Sequence, residues 1–456
     1  MRIHFIAIGG TVMHDLAISL AEQGHQITGS DDQVVEPSRS SLLRAGLLPE
    51  EIGWFPSRIT EDIDAVILGM HAEDNNPELE KAQQLGLKIY SFPEFVYEQS
   101  VNKLRVVIAG TYGKTTIMSM VMHVLRKIGK DFDYLVGAKL EGFDSLVKLT
   151  QHNKIILIEG DEYYASSIDK RSKFHLFRPN IALISGVEWS EAGSDLDQNE
   201  YMEQFEVFID TITEKGTLIY NKDNAVLKEI VEKTSECKIN RHGYKLPEYT
   251  INKGITYLSV GESQIPIQVF GKLNLSNIAG AYTVCEWLGV KRADFYEAIK
   301  DFRSSVRYLE FVASNESSVV YQDILHSSYK LKTSIHAVKE QFPDKDLITI
   351  IELNIYDVFD NNFLNSYNGA MLEADYAVVV VNIELLKDKN AVIGNLEELI
   401  KNAFNHKNLV VLTTLSNLER YLESFKSLNC NLLFMVPPDH NSLNIVSFAD
   451  KFFKNY

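Results

Sequence analysis

Residues Gly110 to Thr116 read GTYGKTT and follow the apolar run LRVVIA. Glycines at Gly110 and Gly113 let the backbone curl so that several N–H groups point at one anion. Lys114 would neutralise terminal phosphates, Thr111 lies within the loop, Thr115 would offer a hydroxyl to Mg²⁺, and Thr116 opens a helix. The chemistry of that set is the holding of ATP. The loop is contracted relative to the common P-loop and carries Tyr112 in its middle. An incidental glycine turn is the bland alternative, and the flanking strand and helix argue against it. Further on, IEGDEYY puts Glu159, Asp161 and Glu162 after another apolar run. Acids so placed can complete a Mg²⁺ shell facing a phosphate loop, although such a cluster is as often a solvated turn.

Weaker signals flank these two. AIGGTVM places Gly9 and Gly10 in a turn between strand and helix, suited to a diphosphate at a helix N-terminus. GSDD sets Ser30 and Asp31 at the end of the next strand, where an Asp commonly meets a ribose. The full GxGxxG is absent, so a tight βα turn without a ligand is an equal reading. FGKLNLSN gives Asn274 and Asn277 at helical spacing; amides can read an adenine edge, but caps are their commoner use. YQDILHSSYK puts Asp323 and His326 at a strand end, where a solvated pair is the default.

The elements that must position these residues alternate strand and helix. RIHFIAIGG, HQITGSDD, AVILGM and LKIYSF read as strands, with helices at TVMHDLAISLAEQG and PELEKAQQLG between them. That pattern implies a doubly wound parallel sheet. A second run starts at LRVVIAGTYGKTT and continues through the helix TIMSMVMHVLRKIG. The strands KIILIEGDE, NIALISGV, TLIYN, GITYLSV and IPIQVFG follow, then the helix NLSNIAGAYTVCEWLG. A third holds SVVYQDI, DLITIIEL, YAVVVV, NLVVLT and LLFMVP, with helices such as KLKTSIHAVKEQF. The expected class is α/β with three domains: an N-terminal Rossmann-like parallel sheet over 1–102, a central P-loop ATPase-like domain over 103–310, and a C-terminal Rossmann-like domain over 311–456.

Bulk composition bounds the partners. With 456 residues, three domains are expected rather than one core. A formal net charge of −17 disfavours nucleic acid and anionic membrane as partners. An anionic small molecule would need local cations and helix N-termini. The three cysteines, Cys237, Cys285 and Cys430, have neither zinc spacing nor a disulfide framework and read as small core residues in a reducing, cytoplasmic setting. The N-terminal apolar run is broken by His4, Gly9-Gly10 and His14-Asp15, unlike a signal peptide, and YAVVVVNI is only strand-length.

In this order, AIGGTVM, GSDD, DNNPELEKA, GTYGKTT, EGDE, LNLSN and VRYLE resemble the Mur ligase family across the whole chain. The N-terminal stretch and IDKRSKFHLFRPNIALIS are most similar to the branch that joins UDP-N-acetylmuramate to L-alanyl-γ-D-glutamyl-meso-diaminopimelate in peptidoglycan recycling. The resemblance implies a UDP-sugar domain, an ATP domain and a domain for the incoming amine. It implies amide formation through an acyl phosphate, with ATP and Mg²⁺. It implies catalytic roles for Lys114, Glu162 and His326. Nucleotide contacts fall at Gly110, Thr111, Gly113, Lys114, Thr115, Thr116, Asn274, Asn277, Arg307 and Asp323. Metal contacts fall at Thr115, Glu162 and Glu191, and sugar contacts at Gly9, Gly10, Ser30, Asp31 and His71. UDP-N-acetylmuramate and a short peptide are the implied substrates, and the oligomeric state is left open.

Several positions depart from the family pattern. Tyr112 stands where the loop usually has His or Asn. Trp189-Ser190-Glu191 replaces a Trp-Asp-His run whose histidine binds metal; Glu191 would offer Mg²⁺ an oxygen instead. Leu273 replaces a histidine, Arg307-Tyr308 retains one of two basic residues, and Ser328 replaces a proline. IELNIYDVFD lacks the His or Arg of its relatives. Two readings follow: an active ligase with an altered site, or a degenerate paralogue that binds nucleotide or UDP-sugar without ligation.

Overall fold

The computed structural model describes residues 1–189, 196–234, 236–303, 309–325, 327–354, 358–381, 390–425, 429–437 and 445–454. The chain divides into two compact units, Met1–Leu246 with Ser276–Ile299, and Pro247–Leu275 with Lys300–Tyr456.

In the first unit, β1 (Arg2–Ile6), β2 (Gln26–Ser30), β3 (Ala65–Leu68) and β4 (Ile89–Ser91) form an all-parallel sheet in the order β2-β1-β3-β4. The inner strand β3 is a continuous apolar run because both faces are covered, and β1 is buried beyond Arg2 with His4 bonded to Thr28 Oγ1 and Glu78 Oε2. Its helices are α1 (Met13–Glu22), α2 (Ser38–Ala45), α3 (Pro77–Gln84) and α4 (Phe92–Ser100). Local chemistry starts two of them. Asn76 accepts the N–H groups of Glu78 and Leu79, and Ser91 with Glu94 makes a capping box.

The second sheet of this unit comprises β5 (Leu104–Ala109), β6 (Asp133–Leu135), β7 (Val147–Lys148), β8 (Ile155–Glu159), β9 (Ile181–Ile184), β10 (Thr217–Asn221) and β11 (Asn240–Tyr244). Its order is β11-β10-β9-β5-β8-β6-β7, parallel except for the β6–β7 pair. Register pairs Ile108 with Glu159, and Ala109 with Ile184. The loops leaving β5, β8 and β9 therefore emerge side by side at one edge. α5 (Lys114–Lys127) follows β5 and buries Ile117, Met118, Met120, Val121, Met122, Val124 and Leu125. Such a helix is apolar on most sides because it is packed on most sides. α6 (Lys173–Leu176), α7 (Gln198–Asp210) and α8 (Ala225–Lys233) follow β8, β9 and β10 and run across the sheet in the opposite direction to α5, so right-handed crossovers put them on its other face.

In the second unit, β12 (Tyr249–Asn252), β13 (Ile255–Val260) and β14 (Ser263–Ile267) make an antiparallel meander. Six further strands, β15 (Glu310–Ser314), β16 (Val319–Ile324), β17 (Asp346–Leu353), β18 (Tyr376–Val381), β19 (Leu409–Leu412) and β20 (Cys430–Val436), order as β15-β16-β20-β17-β18-β19. Only β15 is antiparallel to its neighbour. Along β17, Leu347, Ile351 and Leu353 enter one core and Ile348 and Ile350 the other, as a two-faced sheet requires. The helix Lys272–Trp287, which carries the LNLSN segment, starts in this unit and from Ser276 onward belongs to the first.

The structure is α/β with parallel-rich sheets, as expected. β6, β7, β11, β12 and β15 were not singled out in the sequence, being short or lacking an apolar run. The core reading of the cysteines holds for Cys285 and Cys430. It needs correction at Cys237, which is partly exposed and donates its thiol to Asp210 Oδ1 at 2.7 Å. Among the described residues no helix is long and apolar enough to cross a membrane.

Candidate active site

The loop between β5 and α5 begins with Gly110 at φ +130° and ends with Gly113 at φ +80°, both strained for any side chain. Gly113 immediately precedes the first turn of α5, so the unpaired N–H groups and positive end of that helix lie at Lys114, Thr115 and Thr116. A Cβ on Gly113 would lie 2.6 Å from Asn277 Oδ1, which places that asparagine against the loop.

Lys114 Nζ donates to Gly110 O at 2.7 Å and to Glu162 Oε2 at 3.0 Å. Burial disfavours its charge, but the carboxylates of Glu162, Asp161 and Glu159 outweigh burial and hold the ammonium above the ordinary lysine range. Thr115 Oγ1 donates to Glu159 Oε1 at 2.5 Å, and the Gly137 N–H donates to Glu159 Oε2 at 2.8 Å. Burial, then the charge of Asp161, pushes the Glu159 carboxyl up despite those bonds. Asp161 faces Lys173 Nζ at 3.5 Å.

Two groups were missed in the sequence. Tyr201, on α7, donates its hydroxyl to Glu162 Oε1 at 3.2 Å and lies 2.9 Å from Thr111 Oγ1. Burial pushes its phenol up, so it remains a donor. Gly137, past β6, supplies the N–H on Glu159. Neither sits in a motif, and each reaches the site only through the fold.

Whether these residues suit Mg²⁺ follows from their chemistry. Among the described residues no group of three or more His, Cys, Asp or Glu is placed to hold a metal ion. Mg²⁺ takes one or two carboxylates, with phosphate oxygens and waters filling the rest of its octahedron. Thr115 and the acids Glu159 and Glu162 offer only hard oxygen donors, and the buried Glu159 would be relieved by a cation. The set fits.

At the corresponding edge of the first sheet, the Gly9 N–H donates to Asp31 Oδ2 at 2.7 Å. A Cβ on Gly9 would come within 2.9 Å of that oxygen, so the approach needs glycine. Ala7, at φ +68°, turns the chain so that its N–H and that of Ile8 both reach Ser30 O, at 2.9 and 3.2 Å. Burial raises the Asp31 carboxyl, while the N–H groups of Gln33 and Gly9 pull it down. Gly9, Gly10, Ser30 and Asp31 thus come together, and His71 lies exposed just past β3.

Asn274 is buried and donates to Phe270 O at 3.1 Å. Asp323, also buried, accepts from Ser334 Oγ at 2.6 Å and Lys330 Nζ at 2.8 Å. Both belong to the second unit, and both spend polar atoms on their own unit's framework. Glu191, Arg307 and His326, with Ser190 and Tyr308, lie outside the described residues.

Comparison with known proteins gives a consistent set of likenesses. Two family models match: Mur ligase family, catalytic domain, over residues 2–102, and Mur ligase middle domain, over residues 108–285. A UDP-N-acetylmuramate–L-alanine ligase from a Sulfurihydrogenibium species is 29% identical over 363 residues, covering 78% of this chain and 77% of that protein. Another, from Carboxydothermus hydrogenoformans, is 25% identical over 93% of this chain and 91% of its own length. Among solved structures, the UDP-N-acetylmuramate:L-alanyl-gamma-D-glutamyl-meso-diaminopimelate ligase from Neisseria meningitides matches with TM-score 0.60 at 25% identity, over 67% of this chain and 99% of that chain. The UDP-N-acetylmuramate-alanine ligase of Thermotoga maritima shares the fold over 100% of this chain and 99% of that chain, with TM-score 0.66 at 19% identity.

Proposed function

The chain belongs to the Mur ligase family, whose members are ATP-dependent ligases, and from that premise we propose that it joins UDP-N-acetylmuramate to L-alanyl-γ-D-glutamyl-meso-diaminopimelate. The observation that carries the reading is the convergence of Lys114, Thr115, Glu159 and Glu162 at the start of α5. In the proposed reaction a carboxylate oxygen of the sugar acid attacks the γ-phosphorus of ATP, and ADP leaves. The free amine of the peptide then attacks the acyl carbon, loses a proton, and inorganic phosphate departs.

In the first step charge on the transferring phosphoryl group must be stabilised and its oxygens aligned. The α5 N-terminus and the glycine loop bind those oxygens, and Lys114, kept protonated by its acids, neutralises them. Thr115 and Glu162, with Glu159 behind, would hold Mg²⁺, which when bound supplies further neutralisation of the phosphates. We assign 1–102 to the UDP-sugar, 103–310 to ATP and 311–456 to the amine, with His326 and Arg307 kept as proposed contacts and Glu191 as a proposed metal ligand.

The tripeptide as amine is supported by the DKRSKF stretch and by the Neisseria likeness. L-alanine is the second reading, favoured by the names of the curated relatives. Phosphate release from ATP and Mg²⁺ with UDP-N-acetylmuramate tests both. Release only with the tripeptide supports the first, release only with L-alanine replaces it with the second, and nucleotide binding without release under either amine favours the binding paralogue.

A further inference from the structure

The phosphate loop is strapped to the segment that leaves β9. The Thr111 N–H donates to Gly186 O at 2.9 Å, and the Glu188 N–H donates to Thr111 Oγ1 at 3.0 Å. Ser185 Oγ donates to Tyr112 O. Tyr112 adds a side-chain wedge to these bonds. Its ring covers Gly186 so closely that a Cβ there would lie 2.3 Å from Oη and 2.4 Å from Cζ. Gly186 does not take a left-handed φ, so what stands against a side chain there is the tyrosine ring. Asn224 closes the arrangement: its Nδ2 donates to Tyr112 Oη at 3.1 Å and to Val187 O at 3.3 Å. Its Oδ1 caps α8 through the Leu227 N–H at 2.7 Å.

We propose that Tyr112, Gly186 and Asn224 form one positioning unit that sets the phosphate loop for nucleotide. Tyr112 is a positioning residue: it acts through the loop backbone and the start of α5. The side-chain-free backbone at Gly186 exists to receive its ring, and Asn224 fixes the hydroxyl end to a helix start. The inference rests on the nucleotide site of the ligase reading and is independent of which acid or amine is joined. Relaxing the unit misplaces the N–H groups that face phosphate, so the loss falls on affinity and KM for ATP more than on kcat.

The test is a double-mutant cycle on the full chain, read by calorimetric titration with Mg-ADP, with melting curves to confirm folding. Gly186→Ala is expected to weaken ADP about 10-fold or more, because the added methyl strikes the Tyr112 ring and forces the loop backbone to shift. Tyr112→Ala/Gly186→Ala is expected to bind better than Gly186→Ala alone, since the clash is gone. Tyr112→Phe is expected to lose about fivefold, from one hydrogen bond; Asn224→Ala loses at least as much, since it also drops Val187 O and the α8 cap. The two together are expected to lose no more than Asn224→Ala alone, because their shared bond is already gone. These two read the unit even where Gly186→Ala fails to fold. Additive losses in both pairs, or parental affinity in Gly186→Ala and Tyr112→Phe, would overturn the proposal. A parent chain that binds no ADP would overturn it as well. A parent that binds ADP but releases no phosphate with either amine sinks the ligase reading alone, and the cycle still reports on the unit.

Discussion

Lys114 draws three acids around one ammonium, and its behaviour on substitution separates the roles of that cluster. Lys114→Ala is expected to abolish ATP-dependent thermal stabilisation, because it removes the only described cation bonded to Glu162 and leaves the acids to repel phosphate. A variant still stabilised by ATP in a thermal-shift titration would refute the phosphate site. Glu159 predicts a pH effect of definite sign. Its carboxyl titrates above the ordinary glutamate range in the folded chain, so the folded state keeps a proton that the unfolded state has released. Stability from this group is fully present at low pH and declines as pH rises from the ordinary value through the raised one. A cation beside Glu159 removes that penalty, so stabilisation by Mg-ADP should grow with pH across the same window. Melting scans over pH about 4.5 to 7.5, with and without Mg-ADP, check it, and a pH-independent difference would count against it.

At the scale of elements, the site depends on where helices begin. α5 starts at Lys114 because Gly113 takes a left-handed turn, and that start was legible in GTYGKTT. α7 starts at a capping box in which Asp197 accepts the N–H groups of Asn199 and Glu200 while the Glu200 side chain accepts the N–H of Asp197. That cap sets the turn on which Tyr201 sits, and Tyr201 reaches Glu162. Asp197→Ala should cost about 1 kcal/mol of stability. It should also weaken Mg-ADP through Tyr201, which denaturant melts and titration separate. Loss of stability with unchanged affinity would make α7 a bystander. The Gly–Lys signal is local and sits within one turn, whereas the Tyr201–Glu162 contact joins residues far apart in the chain. No periodicity encodes such a contact.

On the scale of the molecule, the first run of alternating elements and most of the second lie in one compact unit, while Pro247–Leu275 falls in the other. Buried polar ties join the two sheets of the first unit. Arg105, at the start of β5, donates through Nε to Phe177 O and Arg178 O at 3.0 and 3.1 Å and through NH1 to Ser100 O at 2.8 Å. Its guanidinium also lies 5.1 Å from the Tyr97 ring on α4. The Leu146 N–H donates to Asp15 Oδ2 at 2.6 Å, and the Leu149 N–H donates to Ser19 Oγ at 2.9 Å, which binds α1 to the edge of the second sheet. Arg105→Met should cost about 2–3 kcal/mol, because buried carbonyls lose a charged donor. Urea melts would show it, and a midpoint matching the parent would argue that the two sheets hold together without this tie.

The sequence by itself determined the βα rhythm, the buried strands, the glycine loop with Lys114, and the acids at and after the end of β8. These signals are short in range: apolar runs, caps and glycine turns act within a few residues of where they are read. Tertiary structure alone decided which acid does what. It set Glu159 on Thr115 and the Gly137 N–H, Glu162 on Lys114 and Tyr201, and Asp323 on Lys330. It also explained Tyr112, whose ring is accommodated because Gly186, on the neighbouring strand's exit, has no side chain. Parallel sheets bring strand exits together from distant parts of the chain, so pairings at that edge are set by register rather than by local pattern.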